Sequence, residues 1–444
     1  MAERQSTKPA RGTRDFLPED IRRREHVIGI VREVYQRYGF EPLETPAFEN
    51  IETLIGKYGE EGNQLIFKIL KRGEHEKSGE ADLALRYDLT VPLARVVAEY
   101  QNALPTLFKR YQIQPVWRAD RPARGRFREF YQCDIDATGS TSPVVEAEIL
   151  GAVSEILTTL GFTDFVIRLN HRQVLTALLE AAGVPPTLHG DALVALDKLD
   201  KIGADGVAKE FAGRGIADAA GAQALSFFAA GAGEAPDAAL ARLAGVLLNH
   251  DAVANLGTIA GLTTATPAAG RIRIDPSLAR GLSYYTGAIM EIAVDGIGSL
   301  GGGGRYDNLV GMFLGRDVPA CGFSLGLERI IVVMTERGMF PDSVVKNAVD
   351  VVVTFLDEGS RGEALKLAGE LRHGRWRVDV FPDAARKFDK PLKYASARGA
   401  RVMAIFGENE IARGEASIRD LGSREQQTVP RADAIAHIAR VLGT

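Results

Sequence analysis

FKRYQIQPVWRADRPARGRFREFYQCDID, Phe108 to Asp136, is the stretch on which the fold turns. Two strand-like runs, Phe108 to Trp117 and Phe127 to Asp136, flank a loop carrying Arg118, Arg121, Arg124, Arg126 and Arg128. Runs joined so closely read as a hairpin, which predicts an antiparallel sheet and not the parallel sheet of a dinucleotide-binding fold. The second run alternates with period two. Arg128, Phe130, Gln132, Asp134 and Asp136 share one face, and Tyr131, Cys133 and Ile135 take the other. A polar, carboxylate-bearing face therefore lies beside a basic loop whose planar guanidinium forks suit phosphate and carboxylate. Such a surface could hold a zwitterionic amino acid next to a nucleotide; taken alone, the loop also reads as a solvated hairpin with surface arginines.

Far downstream, GFSLGLERI, Gly322 to Ile330, reads as a strand of small residues running into a helix that starts near Leu327. Arg329 falls in the first turn of that helix, against the dipole preference, which points it at an anion rather than at the helix. Together the two stretches resemble motifs 2 and 3 of the class II aminoacyl-tRNA synthetases. RGLSYYTG, Arg280 to Gly287, followed by GGGGRYDNLVG, Gly301 to Gly311, is similar to the paired signature motifs of the histidyl-tRNA synthetase family. LRYDLTVPLAR, Leu85 to Arg95, and TRDFLPED, Thr13 to Asp20, fit the same family, so the resemblance spans nearly the whole chain. Separated motifs in the family's order are far more specific than one Arg-rich or Gly-rich stretch.

That resemblance implies an α+β protein: a class II antiparallel sheet with flanking helices and a helical insertion, plus a C-terminal α/β anticodon-binding domain. It implies ATP-dependent activation of L-histidine to histidyl-adenylate, transfer to histidine tRNA, Mg²⁺ accompanying ATP, and a homodimer. Carried onto matching positions, Arg118 holds the α-phosphate and substrate carboxylate, Arg280 the α-phosphate, and Arg329 the γ-phosphate and one adenine face. Phe130 takes the other face, with Asp120 and Arg126 near the nucleotide. Asp136 and Tyr285 read the imidazole, Asp88, Thr90 and Gln132 meet the amino and carboxylate groups, and Tyr306 joins the histidine pocket. The chain departs from the pattern in four places. Asp88 and Asp136 stand where bacterial members often carry glutamate, and Ser283 replaces the usual Asp of RGLDYY. In the motif-2 loop, Arg121-Pro122 is followed by Ala123 and Arg124 at the tRNA acceptor end, where bacterial members commonly have Gln-Lys. Ala123 offers no side-chain hydrogen bond, so reading of the extra guanosine at position −1 of histidine tRNA is expected to be weak, with Arg124 adding sequence-independent affinity. The rival within the family is the noncatalytic regulatory subunit of ATP phosphoribosyltransferase, which typically lacks the C-terminal domain and loses phosphate-binding arginines; this chain has both.

Composition agrees with a globular, multidomain chain: 444 residues, 45% hydrophobic and 25% charged. No apolar run is long enough to span a bilayer and the amino terminus has no apolar signal core, so the expected location is the cytoplasm, with no membrane partner. Cys133 and Cys321, the only cysteines, read as reduced packed thiols, and no CxxC or HExxH supports a zinc site. The net charge of −4 does not exclude a basic face, because screening makes local patches matter more than totals.

Along the chain, helical spacing is clear from Ile21 to Tyr38 and after Ser142, with Pro143 at the expected first helical position. Leu65 to Leu70 and Asp82 to Leu85 read as further strands. From Arg172 to Thr266 the composition shifts to Ala, Leu and Gly without strand alternation, which predicts a helical insertion at 172–266 splitting a core of 1–341. Residues 342–444 follow a β-α-β-α-β rhythm through VDVVVTF, WRVDVF and ARVMAIFG. No GxGxxG or GxxxxGK[ST] follows a strand there, so nucleotide phosphate is not its expected ligand. Lys387, Lys390, Lys393 and Arg398 fit either phosphate contacts or an exposed helix face.

Overall fold

The hairpin forms with long, unbroken pairing: strand Phe108–Trp117 runs antiparallel to Glu129–Thr138, from Phe108 opposite Thr138 to Trp117 opposite Glu129. In the computed structural model, which describes residues 6–73, 78–229, 233–247, 250–279, 284–294, 296–345, 348–384 and 388–443, this pair lies inside an eight-stranded sheet. The spatial order is Glu41–Pro42, Phe108–Trp117, Glu129–Thr138, Ala320–Gly326, Gly298–Arg305, Ala288–Val294, Phe165–His171 and Ile272–Ile274. The inner pairings are antiparallel, as the hairpin predicts, but the two outermost short strands join parallel to their neighbours, so the sheet is mixed. Each parallel edge strand comes from a distant segment, which is why local alternation does not announce it.

The Cys133, Ile135 and Ala137 face of the central strand is buried against helices. Helix Pro18–Arg37 turns Val27, Val31, Val34 and Tyr35 inward, and the Tyr35 hydroxyl donates to Cys133 O at 3.0 Å. Helix Val144–Thr159 buries Ile149, Leu150, Val153, Ile156 and Leu157; Pro143 is its N-cap rather than its first residue. Helix Leu327–Glu336 begins at the expected residue, and its buried Glu328 accepts from Tyr131 N at 3.0 Å and Arg24 Nη2 at 3.1 Å. One carboxylate thus ties two helices to the strand, while burial raises its pKa against the pull of Arg24.

Only Lys68–Leu70 of the expected Leu65 to Leu70 strand is extended; a helical turn over Gly59–Gln64 precedes it, and the segment joins Ala81–Leu85 and Phe48–Asn50 in a separate three-stranded sheet. From Arg172 to Thr263 the described residues are helical with short connections, around buried Leu178, Leu193, Phe211, Phe228, Leu243 and Leu256. Arg168, on strand Phe165–His171, meets Asp200 at the start of helix Leu199–Gly213 at 3.0 Å and Glu291 of the neighbouring strand at 3.1 Å.

The chain divides into two compact units, one of Met1–Asp15 with Arg24–Met339 and the other of Phe16–Arg23 with Phe340–Thr444. In the second, strands Val378–Val380, Val351–Phe355 and Val402–Phe406 are parallel neighbours, covered by helices Arg361–His373 and Asp389–Ala397. Two antiparallel strands that the β-α rhythm does not include, Glu415–Asp420 and Gln426–Pro430, extend the sheet. The last is polar and mostly exposed, so it carries no hydrophobic signature.

The glycine run Gly301 to Gly304, readable from sequence as a tight turn, is instead strand Gly298–Arg305. It is glycine because of close approach: a Cβ on Gly303 would lie 2.1 Å from Gly322 O on the next strand. Gly303→Ala is therefore expected to destabilise the protein by about 1–3 kcal/mol or more, as overpacking does. Urea-unfolding midpoints check this, and an unchanged midpoint would refute the steric account.

Candidate active site

Register places the functional face. Asp136, Asp134 and Gln132 are directly opposite Arg110, Gln112 and Gln114 on one side and Gly322, Ser324 and Gly326 on the other. The polar residues therefore form rows across three strands, and the glycines leave room above them. A Cβ on Gly322 would fall 1.8 Å from Asp136 Oδ1, so glycine there is what allows that carboxylate its position.

Two cavities open on this face. The first, of ≈ 390 Å³, is lined by Asp88, Thr90, Asp134, Asp136, Tyr285 and Tyr306 among others. The second, of ≈ 360 Å³, is lined by Asp120, Arg126, Phe130, Gly301 and Arg329 among others. Arg118, Gln132, Gly302 and Ser324 line both, so the cavities adjoin along a common wall. Every described residue assigned by resemblance to histidine or ATP lies on one or both; Arg280, and Ser283 with it, fall outside the described residues.

In the carboxylate cavity Asp88, just before helix Thr90–Glu99, accepts from Tyr58 Oη at 2.9 Å, Val91 N at 3.1 Å and Tyr284 Oη at 3.3 Å. Asp136 Oδ1 accepts from the Tyr306 hydroxyl, and its Oδ2 lies 3.0 Å from Arg110 Nη2, which is also 3.9 Å from Asp134. Arg110 itself is fully buried. Burial raises the pKa of all three carboxyls against the lowering effect of nearby arginine, Asp134 to about 7. Burial likewise raises the phenols of Tyr58, Tyr284 and Tyr306, which keeps them neutral donors. Three consecutive inward residues hold buried acceptors without a well-aligned hydrogen bond: Gln132 Oε1, both oxygens of Asp134, and Asp136 Oδ2, the last ion-paired with Arg110.

The second cavity has the opposite sign. The Arg118 guanidinium stacks 4.2 Å from the Tyr87 ring and 5.2 Å from Phe130, with Nε donating to Tyr87 O at 3.0 Å. Arg126 is held by Asp120 at 2.8 Å, and Arg329 Nη1 donates to Ser299 O at 2.6 Å. Outside the cavities, Ala123 and Arg126 close the loop tip by exchanging two backbone hydrogen bonds, and exposed Arg124 rests on Glu336. Arg305, near the glycine run, serves structure: it makes a bidentate pair with buried Glu146 at 2.6 and 2.9 Å. In the second unit Lys390 and Lys393 are exposed, Arg398 meets Asp379 at 3.2 Å, and Lys387 is outside the described residues.

Tyr58 and Arg110 are contributors that motif reading passed over. Arg110, Gln112 and Gln114 do carry a period-two polar signal within Phe108–Trp117, the same signal that marks the partner strand. Tyr58 lies in a segment without periodicity and is brought to Asp88 by tertiary packing alone.

The histidyl-tRNA synthetase family model matches residues 12–330, and an anticodon binding domain model matches 350–440. The chain belongs to the histidyl-tRNA synthetase family. Among its relatives, the histidine–tRNA ligase of Gloeobacter violaceus is 43% identical, covering 95% of this chain and 96% of the relative. The crystal structure of histidyl-tRNA synthetase from Nostoc sp. PCC 7120 matches with a TM-score of 0.82 at 31% identity, over 98% of this chain and 100% of that one. A Bacillus halodurans structure described as an ATP phosphoribosyltransferase regulatory subunit/histidyl-tRNA synthetase has a TM-score of 0.73 at 20% identity, over 92% of this chain and 99% of that one, and shares the fold.

A raised carboxyl pKa is a stability statement with a definite sign. The folded state holds the Asp134 proton more tightly than the unfolded chain, so this group's stabilisation is present below its ordinary value of 3.8 and is lost as pH rises towards about 7 and beyond. Asp134→Asn does not titrate. The melting temperature of the ligand-free variant relative to the parent is expected to rise from pH 5 to pH 8; a difference that is flat or falls with pH would contradict the assignment.

Proposed function

We propose that the two cavities activate histidine with ATP and that the same sheet face then delivers the histidyl group to histidine tRNA. The observation that carries the reading is the row of buried acceptors without a well-aligned hydrogen bond in one cavity, beside a second that is lined by arginine. The lining of the first suits a guest rich in N–H groups, and that of the second an anionic one. L-histidine, with an ammonium and an imidazole, and ATP match these needs, and Arg118 at the common wall meets the carboxylate of one and the α-phosphate of the other.

The substrate carboxylate attacks the α-phosphorus, a new C–O–P linkage forms, and the bond to pyrophosphate breaks. The nucleophile is already ionised, so the chain contributes position and charge rather than a general base. Arg118 and Arg329 supply fixed positive charge, Phe130 an aromatic face for the adenine, and Asp120 holds Arg126 at the nucleotide. Arg280 is proposed to add a further cation on resemblance alone. Asp88, Thr90 and Gln132 take the amino and carboxylate end, with Asp136, Tyr285 and Tyr306 around the ring. Among the described residues no group of three side chains offers a metal cage, and Asp120 and Glu328 beside the nucleotide cavity are engaged by Arg126 and by Arg24 with Tyr131. Mg²⁺ fits this site as a passenger on the ATP phosphates, offsetting their charge. A tRNA ribose hydroxyl then takes the histidyl group and AMP leaves; the C-terminal unit is assigned to the anticodon, and a cytoplasmic homodimer is the expected form. No described helix is long and apolar enough to cross a membrane.

Arg118→Ala or Arg329→Ala is expected to lower histidine-dependent ATP–pyrophosphate exchange on the order of 10²-fold or more, as loss of a preorganised charge donor does. Purified protein that binds histidine but supports no exchange would favour the regulatory-subunit reading.

At the acceptor end, Ala123 is occupied by its own hairpin bonds and has no side-chain donor. A base-reading contact is worth about 1–3 kcal/mol, so without one, charging of transcripts lacking the extra guanosine at −1 is expected to fall by less than about tenfold. A loss on the order of a hundredfold or more would show that the loop reads that base by another route.

A further inference from the structure

Asp134 has no role in the assignments above, yet of the three buried aspartates described in the cavity it has the fewest partners. Asp136 has one oxygen taken by Tyr306 and the other 3.0 Å from Arg110, and Asp88 is held by Tyr58, Val91 N and Tyr284. Asp134 is 1% exposed and neither of its oxygens is held by a well-aligned hydrogen bond, although the Ser324 hydroxyl opposite it lowers its carboxyl pKa. Arg110 Nη2 is 3.9 Å away, beyond hydrogen-bonding distance, so the Ser324 hydroxyl, which accepts from Gln132 Nε2 at 2.9 Å and keeps its own O–H to give, is the donor beside Asp134. A buried carboxylate left this way costs free energy unless something arrives to use it.

Its position narrows what arrives. Gln132 lies on the wall common to both cavities, whereas Asp134 and Asp136 line only the carboxylate cavity. A substrate whose carboxylate must meet Arg118 therefore has its side chain, and not its reacting end, beside Asp134, which is about 7 Å further along the strand than Gln132. Charge narrows it further. The groups around Asp134 are Arg110 from strand Phe108–Trp117, Asp136 from its own strand, Asp88 from the turn before Thr90, and the neutral hydroxyls of Ser324 and Tyr285, while the Tyr35 hydroxyl of helix Pro18–Arg37 lies on the opposite face of the strand. Arg110 offsets one ionised carboxylate of the Asp134–Asp136 pair and leaves the other to be balanced by the guest.

We propose that Asp134 is a specificity-determining residue for histidine: it accepts an N–H of the imidazole and, with Asp136 balanced by Arg110, holds the bound ring in its cationic form. One source of the proton is the site itself. An Asp134 carboxyl that carries a proton can pass it to a ring nitrogen, the O–H bond breaking as the N–H forms, and where the carboxyl is already ionised the neutral ring takes its second proton from water. Raising of the Asp134 carboxyl by burial is consistent with that exchange. Aromatic or aliphatic side chains of similar size supply neither the N–H nor the charge, and leave the carboxylate unpaired.

The inference rests on the histidine-activation reading, and the test separates the two. Unaltered protein is first assayed for histidine-dependent exchange; absence of exchange overturns the reading and the proposal together. With exchange established, ring-¹⁵N-labelled histidine is bound at pH 8, where a free ring of pKa about 6.5 is neutral, and both ring nitrogens are expected to give protonated, imidazolium-type resonances. A bound neutral tautomer overturns the proposal and leaves the activation reading intact. Asp134→Asn is expected to raise the KM for histidine by about 10–100-fold with the KM for ATP within about twofold, and to shift the bound ring to its neutral form. An unchanged histidine KM, or equal effects on both substrates, counts against Asp134; if the variant does not fold, the ring resonances of the unaltered protein decide.

Discussion

A guanidinium without exposed surface governs the catalytic face. Arg110 lies opposite Asp136 in register and within 3.9 Å of Asp134, and the carboxylate row on the central strand is tolerable because that one cation is buried with it. An uncompensated buried charge is strongly destabilising, whereas a compensated one leaves a site poised for a cationic guest. The compensation is incomplete by design of the geometry: Arg110 Nε and Nη1 and the Asp134 oxygens all lack a well-aligned hydrogen bond.

The neighbouring cavity resolves the opposite problem. Its cationic side chains are not buried pairs. Arg329 and Arg126 are exposed, and Arg118 is held flat by stacking on Tyr87 and Phe130 rather than by a carboxylate. Cations kept hydrated until a phosphate displaces the water carry little folding cost, and those stacked on aromatic rings lose little freedom when they bind. The two cavities meet where Arg118, Gln132, Gly302 and Ser324 are common, so the polarity of the face reverses across that wall. Glycines make that compression possible. At Gly322 and Gly303 any Cβ would displace the carboxylate or the adjoining strand.

Much of this could be read from local pattern. Period-two alternation in Phe127 to Asp136 put Gln132, Asp134 and Asp136 on one face, and small residues before Leu327 marked the strand-to-helix junction that carries Arg329. The parallel βα rhythm after residue 350 was equally plain, because VDVVVTF and ARVMAIFG are continuous apolar strands. The reading failed where the signal was weak or shared. Gln426–Pro430 is an exposed polar edge, and the glycine run looks the same whether it turns or extends.

The elements and their polar faces are legible in local pattern, since these depend on neighbours a few residues apart. Packing of the whole sheet, in contrast, inserts Ala320–Gly326 between Glu129–Thr138 and Gly298–Arg305, bringing Gly322 and Ser324 beside Asp136 and Asp134. It also decided that Arg110, rather than one of the conspicuous loop arginines, is the buried counter-charge, and that Tyr58 reaches Asp88. The physical reason is register. Which side chains face each other across strands distant in sequence is set by pairing and packing of the whole sheet, and a shift of one residue would send every one of these groups to the opposite face.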